Sequence, residues 1–314
     1  MSSINTNTSA MNALSTLRSV NSSLNQTQDR ISTGLKVSSG KDNAAYFAIS
    51  ETMKGESGMN KSINEGLTLT KNSVATARVG AENFQELAQT FQERVAFAQG
   101  AKGGYAEIEQ ELGELVKQMT ATVTQATFNG DDLVGAATVS AVGGNPDSTI
   151  DTATGEVTAT DNRTVTGTND TRTIVTGVAR SGTGVTATTM SIDEVDLAGA
   201  LSDFQAIASG FQANAEAATG DAFLRGALTS SEAGVKRITS DATTLGLAEA
   251  SIEGQQEFLT KLSDNIDAGV GSMVDANMEE EAARLQALQV QQQLASQSLS
   301  IANQAPQNIL SLFR

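Results

Sequence analysis

The chain reads as a mainly α protein: an elongated, antiparallel rod of long helices, with paired, coiled-coil-like terminal helices and a small β-rich, variable central region. Three observations carry that reading. Two internal stretches repeat apolar residues at alternating spacings of four and three. Both ends keep helical apolar spacing while being almost free of charge. A Thr/Gly/Val-rich segment separates the two helical halves.

The ends come first. Leu285 to Phe313 holds no charged side chain, yet its eight glutamines rule out a membrane span, and Met1 to Gln28 carries only Arg18. Neither weakly apolar helix can bury a face alone, so each requires the other and further copies of the chain. The residues expected to carry self-assembly are Ile4, Leu14, Leu17, Leu24 and Ile31 at the N-terminal end, with Leu285, Leu288, Leu294, Leu299, Ile301, Ile309, Leu312 and Phe313 at the C-terminal end.

Asp42 is placed to cap the helix that follows. That helix has the seam Ile63, Leu67, Thr70, Val74, Ala77, Ala81, Phe84, Ala88, Phe91, Val95 and Ala98. With Ile49 and Met53 it would run some 55 residues, about 80 Å. Gly100, Gly103 and Gly104 suit its stop. A shorter helix follows, with Ile108, Leu112, Leu115 and Met119 on one face, and Asn129-Gly130 favours a turn after it. From about Gly135 to Ile192 helix formers thin out, and alternations such as Arg172–Val178 suggest short strands, with flexible loop as the alternative. Helical periodicity returns after about Ala198. Its strongest part is Val235, Ile238, Ala242, Leu245, Ile252, Leu259, Leu262, Ile266, Val270 and Met273, a second long helix able to lie antiparallel beside the first. Glu279-Glu280-Glu281 is expected to be a solvated or salt-bridged first helical turn, and Pro306 to kink or delay the last helix.

Composition narrows the function. The 314 residues include no Cys, His or Trp. Thiol catalysis, His-dependent triads and the commonest metal ligand are therefore absent, and no catalysis, cofactor or metal is expected. The net charge is −16, with residues 1–40 at +2 and 275–314 at −2, so the acidity sits in the middle. That argues against nucleic-acid binding and suits a solvated outer surface. Neither a secretory signal nor an apolar run long enough for membrane insertion is seen.

Three stretches resemble the bacterial flagellins: RISTGLKVSSGKDNAA (Arg30–Ala45), FNGDDLVG (Phe128–Gly135) and LQALQVQQQLASQSLSIANQAPQNILSLFR (Leu285–Arg314). The resemblance covers roughly residues 1–135 and 225–314. Ala45-Tyr46-Phe47 departs from it, with aromatics where the family commonly has Gly and a small residue. The resemblance implies a subunit that self-assembles into the secreted, extracellular flagellar filament for swimming, after export in unfolded form by the flagellar secretion apparatus. Residues 1–40 and 275–314 would form the two halves of an inner-tube helical domain. Residues 41–134 and 196–274 would form the halves of a helical rod domain, and 135–195 the variable region. Implied partners are the chain itself as a helical homopolymer, an export chaperone at the C-terminal helix, and the hook-associated junction and cap proteins. The alternatives are a hook–filament junction protein and a calcium-stabilised secreted adhesin on a similar scaffold.

Overall fold

Helix formation follows the four-three seams closely. The computed structural model describes residues 7–101, 103–135, 148–159, 171–181 and 184–312. In chain order the elements are α1 (Thr8–Thr33), α2 (Ala44–Gly100), α3 (Tyr105–Gln125), β1 (Ser148–Ile150), β2 (Val157–Ala159), β3 (Thr171–Ser181), β4 (Gly184–Asp193), α4 (Leu197–Ala208), α5 (Phe211–Ala215), α6 (Gly220–Val274) and α7 (Met278–Leu312). The protein is mainly α, with two two-stranded sheets. It divides into two units, residues 59–261 and residues 1–58 with 262–314, and both α2 and α6 contribute to each.

In the 59–261 unit, every residue of the predicted α2 seam is buried except Ile63 and Thr70, which are half-buried. The facing seam of α6 supplies Ile238, Leu245, Ile252 and Leu259 to the same core. The two helices run antiparallel. Asn64 Nδ2 donates to Thr260 Oγ1 at 3.0 Å, Lys71 pairs with Glu253 at 2.6 Å, and Arg78 with Glu249 at 2.7 Å. Helix α3 adds Ile108, Leu112, Val116, Met119 and Val123. Helix α4 is buried over most of its length, and Phe204 stacks edge-on against Phe91 and Phe84, with centroids 5.0 and 6.1 Å apart.

The turn after α3 forms as its Asn-Gly pair demands. Asn129 and Gly130 both have positive φ, 52° and 79°, and Phe128 and Asp131 exchange backbone hydrogen bonds at 2.9 and 3.2 Å. Strands β3 and β4 form an antiparallel ribbon, with a register shift between Val175 and Gly177. Gln255 of α6 donates to the Thr176 carbonyl at 2.8 Å and ties that ribbon to the helix.

In the terminal unit a second, smaller core gathers Val37, Val270 and Val274, with Leu35, Phe47, Met53, Ile266 and Met273 packed against it. Here the two crossing segments bond directly. Lys36 N–H donates to Val274 O at 2.6 Å, and Ala276 N–H to Gly34 O at 2.8 Å. Gly34 holds φ at 73°, ending α1 in the left-handed turn that glycine favours.

One expectation is corrected. The cap of α2 is Asn43, whose Oδ1 accepts from Ala45 and Tyr46 N–H at 3.1 and 3.2 Å. Asp42 instead ties the preceding turn, accepting from the backbone N–H and hydroxyls of Ser38 and Ser39. The nearer residue reaches the free N–H groups, and the longer-range choice goes to the turn. Helix α7 runs through Pro306 to Leu312. Pro306 has no N–H to give the carbonyl four residues back, and that carbonyl, Ala302 O, accepts from Asn7 Nδ2 at 2.8 Å.

Candidate assembly surface

The terminal unit pairs α1 with α7 along one continuous seam. On α1 the buried and half-buried positions Ala10, Ala13, Leu17, Val20, Leu24, Thr27 and Ile31 alternate by three and four. On α7 the corresponding row is Glu281, Leu285, Leu288, Gln292, Ala295, Leu299 and Ala302. The helices run antiparallel, pinned by Arg30–Glu281 at 3.2 Å, Gln292 Nε2 to Asn21 Oδ1 at 2.7 Å, and Asn7 Nδ2 to Ala302 O at 2.8 Å. Helix α1 is capped by Asn7, whose Oδ1 accepts from Ala10 N–H at 3.1 Å. Helix α7 starts at Asn277, whose Oδ1 accepts from Glu279 N–H, and its first turn holds three glutamates at the positive end of the helix dipole.

The predicted residues fall into two groups. Leu17, Leu24, Ile31, Leu285, Leu288 and Leu299 are half-buried in the seam. Leu14, Leu294 and Ile301 are exposed, the last two at 57% and 67%. The side chains of Ile309 and Leu312, and residues Ile4 and Phe313, lie outside the described residues. The exposed leucine and isoleucine of α7 line up with Ala283, Ala287 and Val290 in a second apolar stripe, at spacings of four, three, four and seven. Met11 joins Leu14 as an exposed apolar residue on α1. No charge interrupts the stripe beyond Arg284.

Besides Glu281, the seam members missing from the predicted set are Ala10, Ala13, Val20, Thr27, Gln292, Ala295 and Ala302. Each continues the four-three spacing, so the period was the available signal, and small or polar side chains hid it. Glu281 was singled out only as part of an acidic run. It is the one member of that run turned inward, its side chain 7% exposed, while Glu279 and Glu280 face solvent.

Among the described residues no group of acidic side chains is arranged to hold a metal ion, and no helix is long and apolar enough to cross a membrane. What the arrangement offers is a helical pair with a half-buried seam and, on α7, an exposed apolar stripe among uncharged polar residues beyond Arg284, the composition of an interface.

Comparison with known proteins agrees with this geometry. Residues 4–138 match the model of the bacterial flagellin N-terminal helical region, and residues 228–313 that of the bacterial flagellin C-terminal helical region. The chain is 35% identical over 315 residues to flagellin of Brucella melitensis biotype 1, all of both chains being covered. It is 33% identical over 401 residues to flagellin A of Rhizobium meliloti, again across both chains, and 29% identical over 318 residues to flagellin FljM of Caulobacter vibrioides, covering all of this chain and 99% of that one.

Proposed function

We propose a mode of assembly for this chain, which belongs to the bacterial flagellin family and is a structural subunit of the flagellar filament. Copies join through the α1/α7 pair, and the observation that supports this is the second, exposed, uncharged apolar stripe of α7. A helix with one apolar face already paired and another left open has its open face for further copies. The residues assigned to this contact are Ile4, Leu14, Leu294, Ile301, Ile309, Leu312 and Phe313. Leu17, Leu24, Ile31, Leu285, Leu288 and Leu299 hold the pair itself together.

In this reading residues 1–40 and 275–314 line the inner tube, residues 41–134 and 196–274 form the surrounding rod, and 135–195 face outward. The filament lies outside the cell and transmits torque mechanically, without catalysis or cofactor. The subunit is exported unfolded, with a chaperone on the C-terminal helix and with hook-associated junction and cap proteins at the filament ends. A terminal pair with a thin apolar seam suits this path, because its helices are marginal alone and gain stability only when further copies cover them.

Electron microscopy of the purified protein, with and without residues 275–314, tests the assignment. Filaments from the full chain and none from the truncated chain are expected. Filaments from both would remove α7 as the assembly element.

A further inference from the structure

The seam between α1 and α7 does not specify its own register. On α1, Ala10, Leu17, Leu24 and Ile31 recur every seven residues, as do Ala13, Val20 and Thr27. On α7, Leu288, Ala295 and Ala302 do the same. Apart from Glu281 and Gln292, a slip of one heptad therefore sets apolar or small residues against others like them, at little cost in packing. The backbone bonds between residues 34–36 and 274–276 anchor the root of the pair, and side-chain contacts must carry the register from there.

Three polar contacts can: Gln292 on Asn21 at 2.7 Å along the pair, and one at each end. At the root, Glu281 occupies an inward position of α7. Its Oε1 lies 3.2 Å from Arg30 and 3.7 Å from Arg284, while its buried Oε2 has no hydrogen-bond partner. An apolar residue would serve stability better than a carboxylate left half-satisfied, whereas a buried polar residue in a helical seam discriminates between registers. A slip strands Glu281 without Arg30. At the tip, α7 passes through Pro306, which has no N–H. The carbonyl four residues back, Ala302 O, thus lacks its intrahelical donor, and Asn7 Nδ2 supplies one at 2.8 Å. A slip takes Asn7 away from Ala302 O, and in the direction that brings Ala295 opposite, it offers Asn7 a carbonyl that already accepts from its own helix.

We propose that Arg30–Glu281 at the root, and Asn7 on the carbonyl freed by Pro306 at the tip, set the register in which α7 zips onto α1 as a subunit joins the filament. The backbone bonds between residues 34–36 and 274–276 place Arg30–Glu281 first in that zipping, and Asn7 locks it last. The inference rests on the assembly reading above.

Crosslinking in mixed filaments tests it. The chain has no cysteine, so introduced pairs report alone. N21C/Q292C, at positions now joined by a 2.7 Å hydrogen bond, reports the native register with a short bis-maleimide, and because every pair carries N21C, that contact is removed alike in all of them. N21C/L285C and N21C/L299C report slips of one heptad. Each pair is carried by a minority subunit in filaments of unmodified protein. With Asn7 and Glu281 intact, only the native pair should crosslink. In N7D/E281L, which keeps the α1 cap oxygen but loses both end contacts, the native product should fall and the slipped products appear. N7D/P306A, which returns an N–H to Ala302 O but loses the Asn7 contact, leaves Arg30–Glu281 to hold the register and should slip less than N7D/E281L. Native crosslinking alone at undiminished yield in N7D/E281L overturns the proposal. If N7D/E281L is excluded from filaments, R30E/E281R decides: entry with the native crosslink supports the proposal, and exclusion overturns it. Failure of the unmodified protein to form filaments would instead overturn the assembly reading.

Discussion

Gly226 of α6 has the carbonyl oxygen of Thr154 only 1.9 Å from where a Cβ would sit, and Gly155 has the Phe223 carbonyl at 2.0 Å. The 151–155 turn therefore rests backbone against backbone on α6. Asp151 shapes that turn by accepting from Ala153 and Thr154 N–H at 2.8 and 3.2 Å, and Gly155 holds φ at 70°. Neither backbone can give way as a flexible side chain would. Gly226→Ala is expected to destabilise this unit by about 1–3 kcal/mol, seen as a lower midpoint of thermal unfolding. Asp42 offers a pH signature. Hydrogen bonds from Ser39 and Ser38 hold its carboxyl below the usual carboxylate range. A depressed folded value favours the ionised form in the fold. Its contribution is complete above about pH 4 and is lost as pH falls through the lowered value. Asp42→Asn should lower the unfolding midpoint at neutral pH, and the gap to the unaltered protein should close as pH falls through the lowered value.

The long helices were legible because their seams repeat over many turns, so single polar interruptions such as Thr70 did not obscure them. Their interior contacts give the largest expected effects. Phe204 stacks on two α2 phenylalanines and lies over Gly234 of α6, where a Cβ would come within 2.9 Å of its ring. Phe204→Ala should lower stability by about 3–5 kcal/mol, measured by denaturant unfolding. Leu294 is the opposite case, since it is exposed on α7 and outside the α1 seam. Leu294→Asp should leave far-ultraviolet circular dichroism and unfolding of the 59–261 unit unchanged while abolishing polymerisation in a sedimentation assay. Normal filaments would count heavily against the exposed stripe as an interface. Helix ends were less legible than helix bodies. Asp42 and Asn43 are both competent caps, and the choice depends on whether Ser38 and Ser39 approach one of them, which no local propensity encodes.

Across the whole molecule, charge is unevenly placed. The formal charge of −16 lies between two ends that are each within two charges of neutral. Copies brought side by side repel through their acidic middles and not through their terminal helices. Polymerisation at fixed protein concentration should therefore speed up as salt rises from low levels to about 0.15 M, followed by light scattering; a rate indifferent to salt would show that the acidic surfaces stay apart in the polymer. The amino-acid sequence by itself determined the helical class, the two long helices, the Asn-Gly turn and the uncharged ends. All of these rest on residues within a few positions of one another, where periodicity and turn chemistry act directly. Only the tertiary structure decided which terminal apolar residues face inward, that Glu281 alone of its run is buried, and that Asn7 takes the carbonyl Pro306 frees. Those outcomes turn on partners 251 to 295 residues away in the chain, and the spacing along one helix carries no information about which residue of another comes to lie against it.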